Sequence, residues 1–141
     1  MTRVDFYVLG SETPAEAVER TACRIAEKAF RHGHRVYLHV SDDGAAERLD
    51  ELLWTFRAGS FVPHARWRGE GEPEEPVLIG RIEPPPGPDV LVNLAPAVPP
   101  FFSRFARVAE IVGGGEELRA AARERFRWYR ERGYPLHTHE L

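Results

Sequence analysis

The strongest constraint on the fold is the alternation of short apolar runs with longer helix-forming segments. The first runs are RVDFYVL at 3–9 and HRVYLHV at 34–40, and their β-branched and aromatic residues favour strands. Continuous apolar strands separated by helices are typical of a parallel sheet that is covered on both faces. The sequence therefore predicts an α/β fold, Rossmann-like, with a mostly parallel sheet flanked by helices. The other predicted strands are 77–82, 89–94, 107–112 and a short one around Phe61, and the predicted helices are 11–33, 41–54 and 115–133.

The length of the chain predicts a single domain. A chain of 141 residues is long enough to enclose one hydrophobic core, and no internal repeat divides it. We assign residues 1–136 to the α/β domain. Residues 137–141 follow Pro135 and contain two histidines without a third ligand nearby in sequence, so we expect a flexible C-terminal tail there rather than a metal site.

Charge and cysteine content narrow the classes of function. The net charge of −3 argues against a protein whose whole surface holds phosphates, although it permits a local basic patch. The single cysteine, Cys23, excludes an internal disulfide and a cysteine-rich zinc site. No apolar run reaches the roughly 18 residues of a membrane span, and no signal-peptide pattern is present. We expect a cytoplasmic protein with no metal and no membrane contact.

The turns that follow the strands lack the motifs of phosphate binding. The first strand-to-helix turn reads VLGSETPAE, which contains neither GxGxxG nor GxxxxGK followed by Ser or Thr. Residues 113–115 are three glycines between a strand and a helix, where an anion can bind, although a flexible turn is the commoner role. The aspartates are scattered and form no set for two-metal catalysis. We expect no nucleotide-binding loop, no cofactor and no catalytic residue.

The last predicted helix carries a basic stripe beside an apolar face. At 100° per residue, Leu118, Ala122 and Tyr129 share the apolar face, and Phe126 lies at its border. We expect few ion pairs within the stripe, which makes it suitable for an acidic peptide with an apolar terminus. A solvated basic flank is the alternative interpretation, and the position of Arg125 near the apolar face is unexplained. The stripe consists of Arg119, Arg123, Arg127 and Arg130.

Three large aromatic residues, Trp54, Phe56 and Phe61, lie within eight positions of one another. Their segment is only partly helical. Aromatic residues of this size are common both in cores and as anchors of protein interfaces. The pattern alone favours neither role.

Five blocks of the sequence occur in an order that resembles a known family. They are FYVL, ERTACRIAEKAFRHGHRVYLH, LDELLWTFRAGSFVPH, DVLVNL and RERFRWYRERGY. The third and fifth blocks are the specific ones, since the others are common in α/β proteins. On these motifs the chain is similar, over nearly its whole length, to the DNA polymerase III chi subunit family.

The resemblance implies an adaptor rather than an enzyme. Members of the family have a Rossmann-like fold without a nucleotide, pair with the psi subunit of the clamp loader, and bind the acidic C-terminal tail of single-stranded DNA-binding protein. The implied function is to bridge the clamp-loader complex to that protein during replication, with DNA contacted mainly indirectly. Trp54 and Phe61 match family positions at the psi-facing surface. A helicase is an alternative partner for the same surface.

The resemblance also implies which residues bind the tail. Arg123 is the expected partner of the tail's carboxylates, and Arg127 adds positive charge. Val112 and Phe126 are expected to wall a pocket for the tail's terminal phenylalanine. Phe126 stands where the family often has tyrosine, so a hydroxyl contact is lost there. Gly133 is the fifth residue of the expected site.

Two other functions are compatible with parts of the sequence. One is a small nucleotide-binding protein that uses the turn at 113–115. The other is a direct single-stranded DNA-binding protein that uses the basic stripe, with Phe126, Trp128 and Tyr129 as stacking platforms. The missing phosphate motifs disfavour the first, and the acidic net charge disfavours the second.

Overall fold

Seven parallel strands form one sheet on which all the helices pack. The computed structural model describes residues 1–141. The strand order is β3-β4-β2-β5-β6-β1-β7, and every neighbouring pair is parallel. The fold class predicted from the sequence is confirmed, and the sheet is wholly rather than mostly parallel. The elements are β1 Arg3–Val8, α1 Ala15–Arg31, β2 Val36–His39, α2 Asp43–Thr55, β3 His64–Arg66, β4 Val77–Gly80, β5 Val90–Asn93, a 3₁₀ turn Phe102–Arg104, β6 Arg107–Val112, α3 Glu116–Glu131 and β7 Leu136–Glu140.

The two faces of the sheet enclose two hydrophobic cores. Side chains alternate between the faces along each strand, so that Val36 and Leu38 of β2 enter the first core while Tyr37 enters the second. Helices α1 and α2 cover the first core, and α3 with the 3₁₀ turn covers the second. None of the three helices is both long and apolar enough to span a bilayer.

The short strand expected around Phe61 lies further along the chain, at His64–Arg66. Gly59 adopts a φ of 77° in the turn that precedes it, and Phe61 itself remains in irregular structure. Pro63 has no N–H to donate to a ladder, so regular pairing begins only after it.

The flexible tail expected at 137–141 is the main difference between prediction and structure. Residues Leu136–Glu140 form β7, which pairs in parallel with β1 at the edge of the sheet. The segment LHTHE is polar and lacks the apolar pattern that predicts a strand. An edge strand does not need that pattern, because it can keep most of its side chains in water. A domain boundary at residue 136 is therefore wrong, since the sheet continues through Glu140.

A buried carboxylate attaches β7 to the sheet. Asp5 is fully buried, and its Oδ1 lies 2.8 Å from Nε2 of His139 on β7. Arg3 donates two hydrogen bonds to the same carboxylate, at 3.1 and 3.0 Å, and Arg107 of β6 donates one at 3.0 Å. Burial by itself would raise the pKa of Asp5, but the hydrogen bonds from Arg3, His139 and Arg107 outweigh it and hold the pKa below its ordinary value.

A second buried carboxylate explains why Arg125 lies on the apolar side of α3. Glu110 of β6 is fully buried and accepts a hydrogen bond of 2.9 Å from Arg125 Nε. Tyr129 donates its hydroxyl to the same carboxylate at 2.8 Å, and the Asn93 amide donates to both oxygens. Arg125 also donates to the Pro96 carbonyl at 2.9 Å, so the guanidinium enters the core with a hydrogen bond to a carbonyl as well as one to its counter-ion.

Removal of Arg125 should destabilise the fold far more than removal of an exposed arginine from the same helix. Arg125→Leu leaves the Glu110 carboxylate buried without its cation, which costs about 3–5 kcal/mol of unfolding free energy. Arg123→Leu is the matched control, because the Arg123 side chain is 59% exposed, and it should change stability by less than about 0.5 kcal/mol. Urea unfolding followed by circular dichroism compares the two variants. Equal stabilities would contradict this account of α3.

Acidification should release β7 before it unfolds the rest of the sheet. A carboxylate with a lowered pKa stabilises the fold above its unfolded-state pKa of about 4 and loses that contribution as pH falls through the folded value. Asp5→Asn should lower stability at pH 7 by about 1–3 kcal/mol and flatten the pH dependence below pH 4. Hydrogen exchange of the β7 amides at pH 6 and pH 3 measures the effect. An unchanged pH profile in the variant would show that Asp5 does not anchor the strand.

Candidate functional site

Helix α3 separates its arginines into one buried residue and a group directed to solvent. Ala122, Arg125 and Tyr129 are the buried residues of the helix. They recur at spacings of three and four, which places them on one face. Because these residues face Glu110 and the second core, Arg123 and Arg127 point to solvent on the other side of the helix. The basic stripe predicted from the sequence therefore lies on the surface, except for Arg119, whose guanidinium contacts the end of β1.

Two exposed arginines of the stripe are paired, contrary to the expectation of few ion pairs. Arg123 lies 2.6 Å from Glu116 Oε1, and Arg127 lies 2.6 Å from Glu124 Oε1. The arginine side chains are 59% and 52% exposed, and both glutamates are more exposed still. Exposed pairs of this kind contribute about 0–1 kcal/mol. A carboxylate of an incoming ligand can therefore replace either glutamate at small cost.

The two ends of the stripe behave differently from its middle. Arg119 donates a hydrogen bond of 3.0 Å to the carbonyl of Leu9, so its guanidinium is held against the end of β1. Arg130 is exposed, with its guanidinium carbon 6.0 Å from the ring centroid of Phe126. The cations available to a ligand beside Phe126 are thus Arg123, Arg127 and Arg130.

Phe126 joins the basic stripe to the second core. It is half-buried, and its ring meets Phe6 of β1 edge-on, with centroids 5.2 Å apart and an interplanar angle of 66°. Val8 and Leu136 are also half-buried against the same core. Leu136 could not be identified as a neighbour from the sequence, because the residues after it are polar and predict a tail rather than a strand. An apolar surface next to three arginines results, at the side of the sheet formed by β1 and β7.

The remaining expected residues of the site lie at opposite ends of α3. Val112 is 6% exposed at the carboxyl end of β6 and belongs to the second core with Phe6. Gly133 follows the other end of the helix, where its φ of 78° favours glycine. A helix of 16 residues is about 24 Å long, so the five residues form an elongated strip rather than one pocket. Only Phe126 and Val112 share a hydrophobic cluster.

Trp54 and Phe61 form an exposed aromatic pair, so neither belongs to the hydrophobic core. Their side chains are 55% and 64% exposed, and their ring centroids are 5.8 Å apart. Trp54 also contacts the ring of buried His64, with centroids 4.5 Å apart. Phe56, by contrast, is 7% exposed and belongs to the first core. Exposed aromatic pairs on this scale are typical of protein interfaces.

A polar cluster under the loop holds Phe61 beside Trp54. Glu27 of α1 accepts hydrogen bonds from Arg57 at 3.2 and 2.6 Å and a further one from the Ser60 hydroxyl. Burial would raise the pKa of Glu27, but the Arg57 and Ser60 hydrogen bonds prevail and lower it. The carboxylate thus ties the segment before Phe61 to α1. Sequence reasoning could not find this contact, because Glu27 and Arg57 are 30 positions apart.

The loops that follow β1 and β6 pack against each other through their backbones. The chain leaves β1 towards β2 and leaves β6 towards β7, so the two connections run past each other at the carboxyl ends of these strands. A Cβ at Gly114 would lie 2.5 Å from the Ser11 carbonyl oxygen and 2.8 Å from that of Thr13. Gly115 N–H donates to Ser11 at 3.1 Å. Gly114 therefore serves the close packing of two loops, which removes the support for a phosphate site there.

Comparison with known proteins identifies the family of the chain. The model of the family described as DNA polymerase III chi subunit, HolC, matches residues 1–137. The chain belongs to the DNA polymerase III chi subunit family. Chi is a non-catalytic accessory subunit of polymerase III.

Relatives in three bacteria support the membership over the full length. The chain is 48% identical to DNA polymerase III subunit chi of Pseudomonas aeruginosa over 142 residues, covering 100% of this chain and 98% of the relative. It is 36% identical to the Escherichia coli chi subunit, covering 98% and 97%, and 31% identical to that of Haemophilus influenzae, covering 96% and 95%. The whole chain, including the helix that carries the basic stripe, is therefore chi-like.

A more distant likeness concerns the fold alone. The crystal structure of T4 UvsW superposes with a TM-score of 0.70 at 7% identity, over 99% of this chain and 41% of that one. At this level of identity the similarity shows a shared α/β architecture and carries no functional information.

Proposed function

We propose that this chi-family chain recruits the polymerase III clamp-loader complex to single-stranded DNA-binding protein at the replication fork. The proposal rests on one observation above all: Arg123, Arg127 and Arg130 are exposed around the half-buried Phe126. An acidic peptide that ends in phenylalanine matches this surface in both charge and apolarity. The carboxylates of the tail displace Glu116 and Glu124 from the arginines, and its terminal ring packs against Phe126.

The strip along α3 suits an extended peptide. A segment of six residues spans about 20 Å when extended, which is comparable to the length of the helix. Because the arginine pairs are exposed and weak, we expect micromolar affinity that falls as salt is added. Several tails on one oligomer of single-stranded DNA-binding protein compensate for the weakness by raising the effective concentration.

The second proposed contact is the aromatic pair Trp54–Phe61, which docks the psi subunit of the clamp loader. The pair lies at the carboxyl end of α2 and in the loop that follows it, on the opposite face of the sheet from α3. Separate faces allow both partners to bind at once, as a bridge requires. A helicase that uses the same pair would compete with psi.

Arg123→Ala should weaken binding of a tail peptide by about tenfold, because it removes a charge-assisted contact. Fluorescence anisotropy of a labelled acidic peptide ending in Asp-Ile-Pro-Phe measures the affinity at low and physiological salt. Arg48→Ala is the matched control, since Arg48 is an exposed arginine of α2 paired with Glu19. The proposed tail site would be wrong if the two variants bound the peptide equally well. It would also be wrong if a peptide without the terminal phenylalanine bound the wild-type protein as tightly as the complete peptide.

Trp54→Ala combined with Phe61→Ala should abolish binding of psi and leave the tail peptide affinity unchanged. The two side chains are exposed, so the double variant should remain folded. Ile82→Ala is a suitable control, because Ile82 is a 47% exposed apolar residue outside the aromatic pair. Isothermal titration with purified psi gives the result. Retention of wild-type affinity would place psi elsewhere on the chain.

A further inference from the structure

One part of the sheet has no helix over it. On the side of the first core, α1 packs on β2, β5 and β6, and α2 packs on β3 and β4. The outer strands β1 and β7 remain open on that side, and the start of β6 borders them. We call this the β1–β7 face, and it consists of Arg3, Asp5, Tyr7, Arg107, His137 and His139.

The β1–β7 face holds two arginines in fixed positions with only one carboxylate between them. Asp5 is the one acidic residue that β1, β6 and β7 direct to this side, and it is fully buried. Arg3 and Arg107 both bond to it, yet their side chains remain 43% and 48% exposed. The cluster therefore keeps a net positive charge, and the buried carboxylate orients both guanidinium groups before any ligand arrives.

An aromatic platform lies next to these arginines. Tyr7 and His139 are direct neighbours across the β1–β7 pair, and their rings stack with centroids 4.7 Å apart and an interplanar angle of 16°. Both residues are partly exposed. The two rings cover one face of each other, so a base can stack on the outer face of the pair while the flanking arginines contact phosphates.

Helix α1 extends the positive surface along one side of the face. Arg24 lines a groove of about 210 Å³ together with Leu9 and Leu141, which follow β1 and β7. Lys28 lies one turn further along the same side of the helix. Both residues are exposed, and neither forms an ion pair. They add unpaired positive charge on the side of the face where α1 lies.

We propose that the β1–β7 face binds single-stranded nucleic acid, with bases on the Tyr7–His139 platform and phosphates on Arg3, Arg107, Arg24 and Lys28. This function goes beyond the recruitment proposed above and uses the opposite side of the sheet from α3. The chain can therefore hold the tail of single-stranded DNA-binding protein and a nearby strand at the same time. The net charge of −3 makes the contact weak and dependent on salt.

Anisotropy of labelled oligonucleotides tests the proposal with the intact chain. Two parallel titrations at low salt use oligo(dT) and oligo(U) of twelve nucleotides. Both should bind, because base stacking and phosphate contacts are available to DNA and RNA alike. Tyr7→Leu should weaken binding about five- to tenfold by removing the stack. The pair Arg24→Gln and Lys28→Gln should also weaken binding several-fold and reduce its salt dependence. Neither side chain of that pair makes a hydrogen bond, so this variant keeps its fold.

Two controls separate this face from the rest of the surface. Arg81→Gln removes an exposed arginine at the far side of the sheet, and Arg123→Ala removes one from the tail site; both should leave oligonucleotide binding unchanged. Tail peptide binding should survive in Tyr7→Leu, which also verifies its fold. Tighter binding of one oligonucleotide identifies DNA or RNA as the ligand. Failure of folded wild-type protein to bind either oligonucleotide, or loss of binding only in Arg123→Ala, would overturn the proposal.

Discussion

The buried pair of Glu110 and Arg125 fixes the rotation of α3, and the character of its outer surface follows from that rotation. Glu110 is fully buried in the second core and is satisfied by Arg125, Tyr129 and Asn93 together. An unpaired charge at this depth would cost several kcal/mol, so a helix rotated away from Glu110 is strongly disfavoured. With Arg125 directed inward, the neighbouring arginines at 123 and 127 necessarily face solvent. The same interaction thus secures the core and orients the surface on which the proposed tail site depends.

The uneven cover of the sheet separates the surfaces of the molecule. Helices α1 and α2 cover strands β2 to β6 on one side of the sheet, and α3 is the single helix on the other side. This arrangement leaves an exposed aromatic pair near the end of α2, a basic strip on α3 and an open polar face on β1 and β7. Surfaces on opposite sides of a rigid sheet do not compete for space. An adaptor needs such separation, because it has to hold more than one partner.

Membership of the chi family and the α/β fold could both be predicted from the sequence, since they depend on local patterns and on specific blocks such as LLWTF. The burial and contacts of individual residues were harder to predict from the sequence. Arg125 had no explanation in the sequence because its partner Glu110 lies on another element, 15 positions away. The aromatic pair could not be assigned either, since periodicity does not distinguish Phe56, which is buried, from Trp54 and Phe61, which are exposed. The glycines at 113–115 suggested an anion site until Gly114 was found against the backbone of Ser11 and Thr13.

The sequence by itself determined the order of strands and helices as far as α3, the absence of phosphate-binding motifs and the basic stripe of the last helix, because each depends on residues close together in the chain. Only the tertiary structure decided which charges are buried, which aromatic residues are exposed and where the last described residues lie in the sheet. Its last residues are polar and give no strand signal, yet they form β7 because Asp5, buried at the other end of the chain, pairs with His139 across 134 positions. Contacts at that separation depend on how the sheet is assembled, and no local pattern encodes them.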